Sequence, residues 1–159
     1  MGPELKFEQK GPGAAEVRKA LDAIAKMEVL VGIPQEKDSR RGQKIGNAAL
    51  LFIFSNGSPL RNIPPRPVIQ PAIEAEGNKQ AIAEELQQAA SAHFEKDPTK
   101  AIRFLKRAGT TGANVSKAWF TDARNGWAPN HPATIRRKKS SVPGIDTGAM
   151  RRSITWVVR

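Results

Sequence analysis

The stretch IDTGAMRRSITWVVR, residues 145–159, has two readings that lead to different folds. An apolar residue followed by Asp-Thr-Gly-Ala is the local signature of a retroviral-type aspartic protease, in which Asp146 is a catalytic carboxylate. The same letters also spell a capped turn of helix, 148–152, running into a terminal strand. The protease reading needs two such loops face to face, so that two carboxylates share a proton. This chain has one, and a dimer would have to supply the other. Only 13 residues follow Asp146, too few for the strands, flap and supporting layer of that fold. Arg151 and Arg152 would also set positive charge beside a carboxylate meant to titrate near neutral pH. The structural reading needs nothing further. Asp146 and Thr147 carry side-chain oxygens suited to the orphan amides of a helix start, and Gly148 lets the backbone turn. SITWVV (153–158) alternates and is rich in strand-forming residues. Asp146, Thr147 and Gly148 are therefore read as a structural cap before a C-terminal strand.

That strand needs a partner, and EVLVGI (28–33) supplies one: it is short, β-branched and stopped by Pro34. Between the two strands the pattern is mostly helical. Residues 14–27 place Val17, Leu21, Ile24 and Ala25 at helical spacing. IGNAALLFIF (45–54) is apolar enough to be buried and fits helix or strand by periodicity; its alanines and the Ser-Asn-Gly stop favour helix. A helix is expected over 73–94, ended by Lys96-Asp97-Pro98, and another from Asp97 to about 108. Gly109 and Gly112 predict a break before a further helix at 113–124, with Val115, Trp119 and Phe120 as core anchors. Residues 5–9 alternate as a short edge strand would, and 34–44 read as a mobile loop. The fold class is α+β: several helices on a small, mostly antiparallel sheet that includes the C-terminal strand, with long ordered loops. At 159 residues the whole chain, 1–159, reads as one domain.

Two segments resist regular structure. Residues 56–71 hold five prolines between Pro59 and Pro71, which excludes a helix or central strand and predicts an ordered, extended arm. Residues 125–145 are longer than ordinary connections, and such loops are usually functional. Within these segments Ile63, Arg66, Pro67 and Trp127 are the candidate interface residues, since Trp and Arg are enriched at interface centres.

Composition bounds the chemistry. There is no cysteine, so there is no disulfide, thiolate metal site or cysteine nucleophile. His93 and His131 lack metal-ligand spacing. GTTGANVSK (109–117) is not a P-loop, and there is no nucleophile elbow. No enzyme activity, cofactor or metal is expected. No apolar run crosses a bilayer and the first residues lack a signal-peptide core, so the reading is soluble and unprocessed.

Charge is the other strong signal. The formal net charge is +11. From Arg124 onward eight Lys/Arg face one acid, Asp146, whereas residues 74–97 carry six acids against two lysines. Arg136, Arg137, Lys138 and Lys139 form an unbroken basic run, costly to bury, that must meet solvent, DNA or an acidic protein.

Three stretches resemble a known family. NGSPLRNIPPRPVIQPAIE (56–74) resembles the glycine, short loop, isoleucine-proline-x-arginine-proline and helix of phage tail-completion proteins, the Mu-like virion morphogenesis family. GWAPNHPATIRRKKSS (126–141) resembles that family's tryptophan, proline, threonine-isoleucine and basic run. PGIDTGAMRRSITW (143–156) resembles its closing motif, and the three occur in family order. Val68 stands where phenylalanine is usual, Pro65 replaces a small residue, and 52–55 replaces an isoleucine-histidine-glutamate. The resemblance implies a structural virion protein of the neck or upper tail, made in the host cytoplasm. Such a subunit forms a ring, a hexamer by expectation, that completes the tail and readies it for the DNA-filled head. Its partners would be further copies of itself, the tail terminator, tail tube or head-closure proteins, and DNA in the lumen through non-specific contact. A stand-alone, non-specific nucleic-acid-binding protein is the alternative. Charge alone suggests it, without a helix-turn-helix pattern or clustered stacking aromatics.

Overall fold

In the computed structural model, which describes residues 13–24, 26–40, 42, 44–138 and 140–159, the C-terminal strand finds the partner that its alternation requires. Strand β1 (Val29–Gly32) pairs antiparallel with β2 (Thr155–Val158), Val29 opposite Val158 and Val31 opposite Trp156. Beyond the strand ends Glu28 and Arg159 exchange both backbone hydrogen bonds, at 2.7 and 3.0 Å. The chain is α+β: helices α1 (Ala14–Ile24), α2 (Asn47–Asn56), α3 (Ile69–Glu74), α4 (Asn78–Phe94), α5 (Pro98–Ala118), α6 (Pro132–Arg137) and α7 (Ala149–Ser153) accompany this two-stranded sheet. The strand expected over 5–9 lies outside the described residues.

A two-stranded sheet is marginal unless one face is covered, and α5 covers it. Asp97 caps this helix by accepting the Lys100 amide at 2.8 Å, and Pro98 opens it, as the sequence predicts. The break expected at Gly109 and Gly112 is absent: α5 runs unbroken to Ala118. Both glycines face the sheet. A Cβ on Gly109 would lie 2.7 Å from the Trp156 ring, and one on Gly112 would lie 2.9 Å from Val31 Cγ2. Ala101, Leu105, Ala108, Ala113 and Ser116 extend the same buried stripe at helical spacing. The Ser116 hydroxyl donates to the Gly112 carbonyl at 2.7 Å and so buries no unpaired group. Small residues here admit the neighbouring strands rather than end the helix.

Three further boundaries move. The helix expected over 73–94 is two helices, α3 and α4, with Ala75 extended between them and Asn78 Nδ2 donating back to the Ala72 carbonyl at 2.8 Å. Pro71 is tolerated inside α3 because first-turn amides have no intrahelical partner. The helix expected at 113–124 ends at Ala118 and continues as 3-10 turns at Trp119–Thr121 and Ala123–Asn125, which still bury Trp119 and Phe120. The first half of the segment read as a mobile loop has local structure: Gln35–Lys37 form a 3-10 turn, and Asp38 Oδ1 accepts the Ala48 amide at 2.6 Å. Asn47, a lone polar residue opening the apolar helix α2, is buried and gives its amide to the Lys37 and Ser39 carbonyls at 3.3 Å and to Ser153 Oγ at 2.8 Å. That amide joins α2 to α7. By contrast α1 buries none of its residues and lies against α4 with Leu21 exposed.

The close approach of α5 to the sheet yields the first prediction. In an exposed helix Gly→Ala stabilises by about 1 kcal/mol. At position 109 the new methyl strikes a rigid aromatic ring, and overpacking costs about 1–3 kcal/mol. Gly109→Ala should therefore lower the urea midpoint of unfolding. An unchanged or raised midpoint would mean that the helix does not press on Trp156.

Candidate functional site

The three stretches that stand out in the sequence meet at one place. Phe54, near the end of α2, stacks on Phe120 with centroids 5.9 Å apart, and Trp127 stands edge-on to both, at 5.2 and 5.6 Å. Offset and T-shaped arrangements suit the ring quadrupoles. Leu51, Val68, Met150 and Ile154 complete this core. Gly144, at φ 74°, is pressed on it so closely that a Cβ would lie 2.7 Å from Phe120 and 2.8 Å from Phe54.

Arg66 locks the arrangement. Its backbone amide donates to the Phe54 carbonyl at 3.0 Å, which fastens the arm to α2. Its guanidinium lies 5.7 Å from the Phe54 ring centre and donates to the Ala128 carbonyl through Nε (3.1 Å) and Nη2 (2.8 Å), and to Pro129 at 3.2 Å. Trp127 Nε1 in turn donates to the Pro67 carbonyl at 3.2 Å. Two long irregular segments, remote in sequence, are thus laced together by reciprocal side-chain to backbone bonds. Burial pushes the Arg66 pKa down from its ordinary value. A guanidinium stays charged even so.

Arg66 and Trp127, read from the sequence as anchors between subunits, join two segments of one chain here. Arg66 is 6% exposed, and its Nε and Nη2 donate inside the chain. Trp127 is half-buried against its own core. Ile63 is half-buried and Pro67 exposed, so of the four candidates these keep surface to offer. The arm is also not uniformly extended. Ser58 and Ile63 exchange backbone bonds at 2.8 and 3.0 Å around a 3-10 turn, Pro59–Arg61, whose tip holds Leu60 at 99% exposure. Phe52, on α2, is 68% exposed. Neither stood out in the sequence, because apolar residues reveal exposure only once their neighbours are placed.

The basic run is divided. Residues 132–137 form α6 within the segment expected to be irregular, opened by Pro132 and by His131 Nδ1 accepting the Ala133 amide at 3.2 Å. Arg136 and Arg137 fall in its last turn, exposed, where cations suit the helix dipole. Lys138 is half-buried; desolvation lowers its pKa, Asp146 raises it, and Arg66 and Arg137 lower it. Lys139 lies outside the described residues. At the cap, the residue at the N-cap position of α7 is Gly148, at φ 78°, and it makes no side-chain cap bond. Thr147 Oγ1 approaches the Ala149 amide at 3.4 Å, while the Asp146 carboxylate acts electrostatically on Lys138. Thr147 and Gly148 stand at the helix start, and Asp146 lies just before them. Arg151 Nε donates to the Lys117 carbonyl at 2.7 Å and Arg152 Nη1 to Thr147 O at 3.0 Å, so two of the C-terminal cations fasten α7 in place.

No protein-family model, curated protein or solved structure matches this chain.

Two measurements check the junction. Arg66→Ala leaves carbonyls beside the core without their charged donor, and a charge-assisted bond is worth about 1.5–3 kcal/mol. The variant should lose about 2–4 kcal/mol in urea unfolding, with Arg66→Lys recovering less than half because an ammonium cannot reproduce the planar fork. A loss below about 1 kcal/mol would contradict the buried lock. Asp146→Asn removes the charge that raises the Lys138 pKa, so that pKa should fall further in an NMR titration of the side chain. A rise would contradict that electrostatic influence of Asp146 on Lys138.

Proposed function

We propose that this chain is a structural subunit of a tailed bacteriophage virion, a tail-completion protein of the head–tail junction that assembles as a closed ring. The convergence of 56–74, 126–141 and 143–156 on one aromatic and guanidinium junction carries this reading. The motifs that resemble the virion morphogenesis family are the segments that hold one another in this fold, which gives their order and spacing a physical reason. Arg66, Pro67, Trp127 and Gly144 are mutually dependent, so one stretch without the others would be unsatisfied.

A ring subunit needs pre-shaped, heterologous contacts that close. The loop at Pro59–Arg61, closed by backbone bonds and presenting Leu60, is preorganised, so little conformational entropy is lost when it docks on a neighbour. The exposed Arg136 and Arg137 suit a wall facing DNA or an acidic partner ring. Among the described residues no helix is long and apolar enough to cross a membrane.

In phage carrying a deletion of this gene, filled heads and tails should accumulate unjoined, and cryo-electron microscopy of complete virions should place the chain in the neck or upper tail. Virions that form normally and lack the chain would exclude the reading. The double variant Arg136→Gln with Arg137→Gln should leave the fold unchanged and alter DNA retention or head joining. Tight, sequence-selective binding of DNA by the isolated chain at physiological salt would instead favour a nucleic-acid-binding protein, because phosphate contacts alone carry no base information.

A further inference from the structure

Among the described residues no strand pairs with the outer edge of β1 or of β2. Glu28 and Arg159 exchange backbone bonds, so the alternation of an antiparallel ladder makes Leu30 with Val157 and Gly32 with Thr155 the other bonded pairs. The amides and carbonyls of Val29 and Val31 then point away from β2, and those of Trp156 and Val158 point away from β1. Among the described residues none of these outward groups has a backbone or side-chain hydrogen-bond partner. Apart from α5, which covers one face, no described element packs extensively on either strand. The opposite face shows Leu30 and Val157, paired across the ladder and exposed at 38% and 41%. Natural edge strands are usually blunted by lysine, proline, bulges or a covering element. Neither four-residue strand contains a charge or a proline.

We infer that these two edges pair with each other between copies of the chain, β1 of one copy against β2 of the next, extending the sheet head to tail. The register supports this occupant. Within a chain Val29 faces Val158 and Val31 faces Trp156 as non-bonded pairs. Repeated across the junction in the same antiparallel register, those residues become the bonded pairs, and every outward group finds a complement. Val31 and Trp156 stay on the face toward α5, and Leu30 and Val157 extend one apolar stripe outside. Glu28 and Arg159, which lie 3.5 Å apart within the chain, meet again between copies. Pairing β1 with β1, or β2 with β2, would stop at two copies and leave an edge open in each. The head-to-tail contact uses both edges of every copy with a single interface, the heterologous kind that generates a ring where the rotation between copies closes and a filament where it does not. This rests on the strand geometry and stands whether or not the protein belongs to a virion.

Proline provides a test that spares the monomer. The Val29 and Val158 amides point outward, so Val29→Pro and Val158→Pro each block one edge without removing a ladder bond inside the chain. In sedimentation velocity the full wild-type chain should associate as its concentration rises. Each variant alone should remain a monomer with wild-type circular dichroism. An equimolar mixture of the two should form a heterodimer, since each keeps the edge the other lacks. A wild-type chain monomeric throughout would overturn the inference. So would a single variant that self-associates like the wild type, or a mixture that stays monomeric. If either variant fails to fold, amide exchange in the wild type decides. The Val29, Val31, Trp156 and Val158 amides should exchange at least tenfold more slowly at high than at low concentration, and equal rates would refute the pairing.

Discussion

Two strands of four residues have too little shared surface to stand in water alone, and everything else in this fold follows from how that shortage is met. The sheet lies against α5 at a distance that only glycine allows, with the Trp156 ring over Gly109 and Val31 over Gly112. The indole is thereby half-buried without a deep pocket being built for it. Because β2 is the last element, its attachment fixes α7, whose Ser153 receives the Asn47 amide and so fixes α2. From α2 the chain of constraint passes through the Phe54 carbonyl to Arg66, and from Arg66 to the segment around Trp127.

The parts of this chain of constraint that depend on local rules were legible in the sequence. Alternation and β-branching identified both strands and their antiparallel pairing, and Asp97 with Pro98 marked the start of α5, because caps and first-turn prolines act over a few residues. What was misread required knowing the neighbours. Gly109 and Gly112 are the same letters whether they end a helix or let a strand approach it. Pro132 after His131 carries the same kind of start signal as Pro98 after Asp97, yet α6 is so short that its apolar content gives no period. Arg66 and Trp127, read as anchors between subunits, are seen to anchor two segments of one chain. A planar cation and a large ring are favoured wherever two irregular segments must be joined without secondary structure, and that condition holds inside a subunit as well as between subunits.

That internal role sets what the proline-rich arm does. With Arg66 and Trp127 engaged within the chain, the arm is fastened to the core, and the exposed apolar groups nearby are Leu60 and Pro67 on the arm and Phe52 on α2. An exposed leucine on a loop closed by the Ser58 and Ile63 bonds differs from one on a floppy tail, since its orientation is set before any neighbour arrives. The strand edges are fixed in the same way by α5.

Charge then decides what such surfaces can assemble. Two acids of the acidic middle are ion-paired within the chain, Glu85 with Arg107 at 2.7 Å and Glu95 with Lys100 at 2.9 Å. Arg136 and Arg137 remain exposed, on a chain of net charge +11. The proposed pairing of copies through uncharged edges would concentrate that charge within a few Debye lengths, each about 8 Å at physiological salt, and the repulsion would oppose association. An anion that binds the collected arginines more tightly than those of a single copy stabilises the assembly by linkage. DNA and an acidic protein ring both meet that description. On the proposed head-to-tail assembly the basic surface would make association of the copies and engagement of an anionic partner mutually reinforcing, so that the charge that disfavours an isolated assembly would favour one bound to its partner.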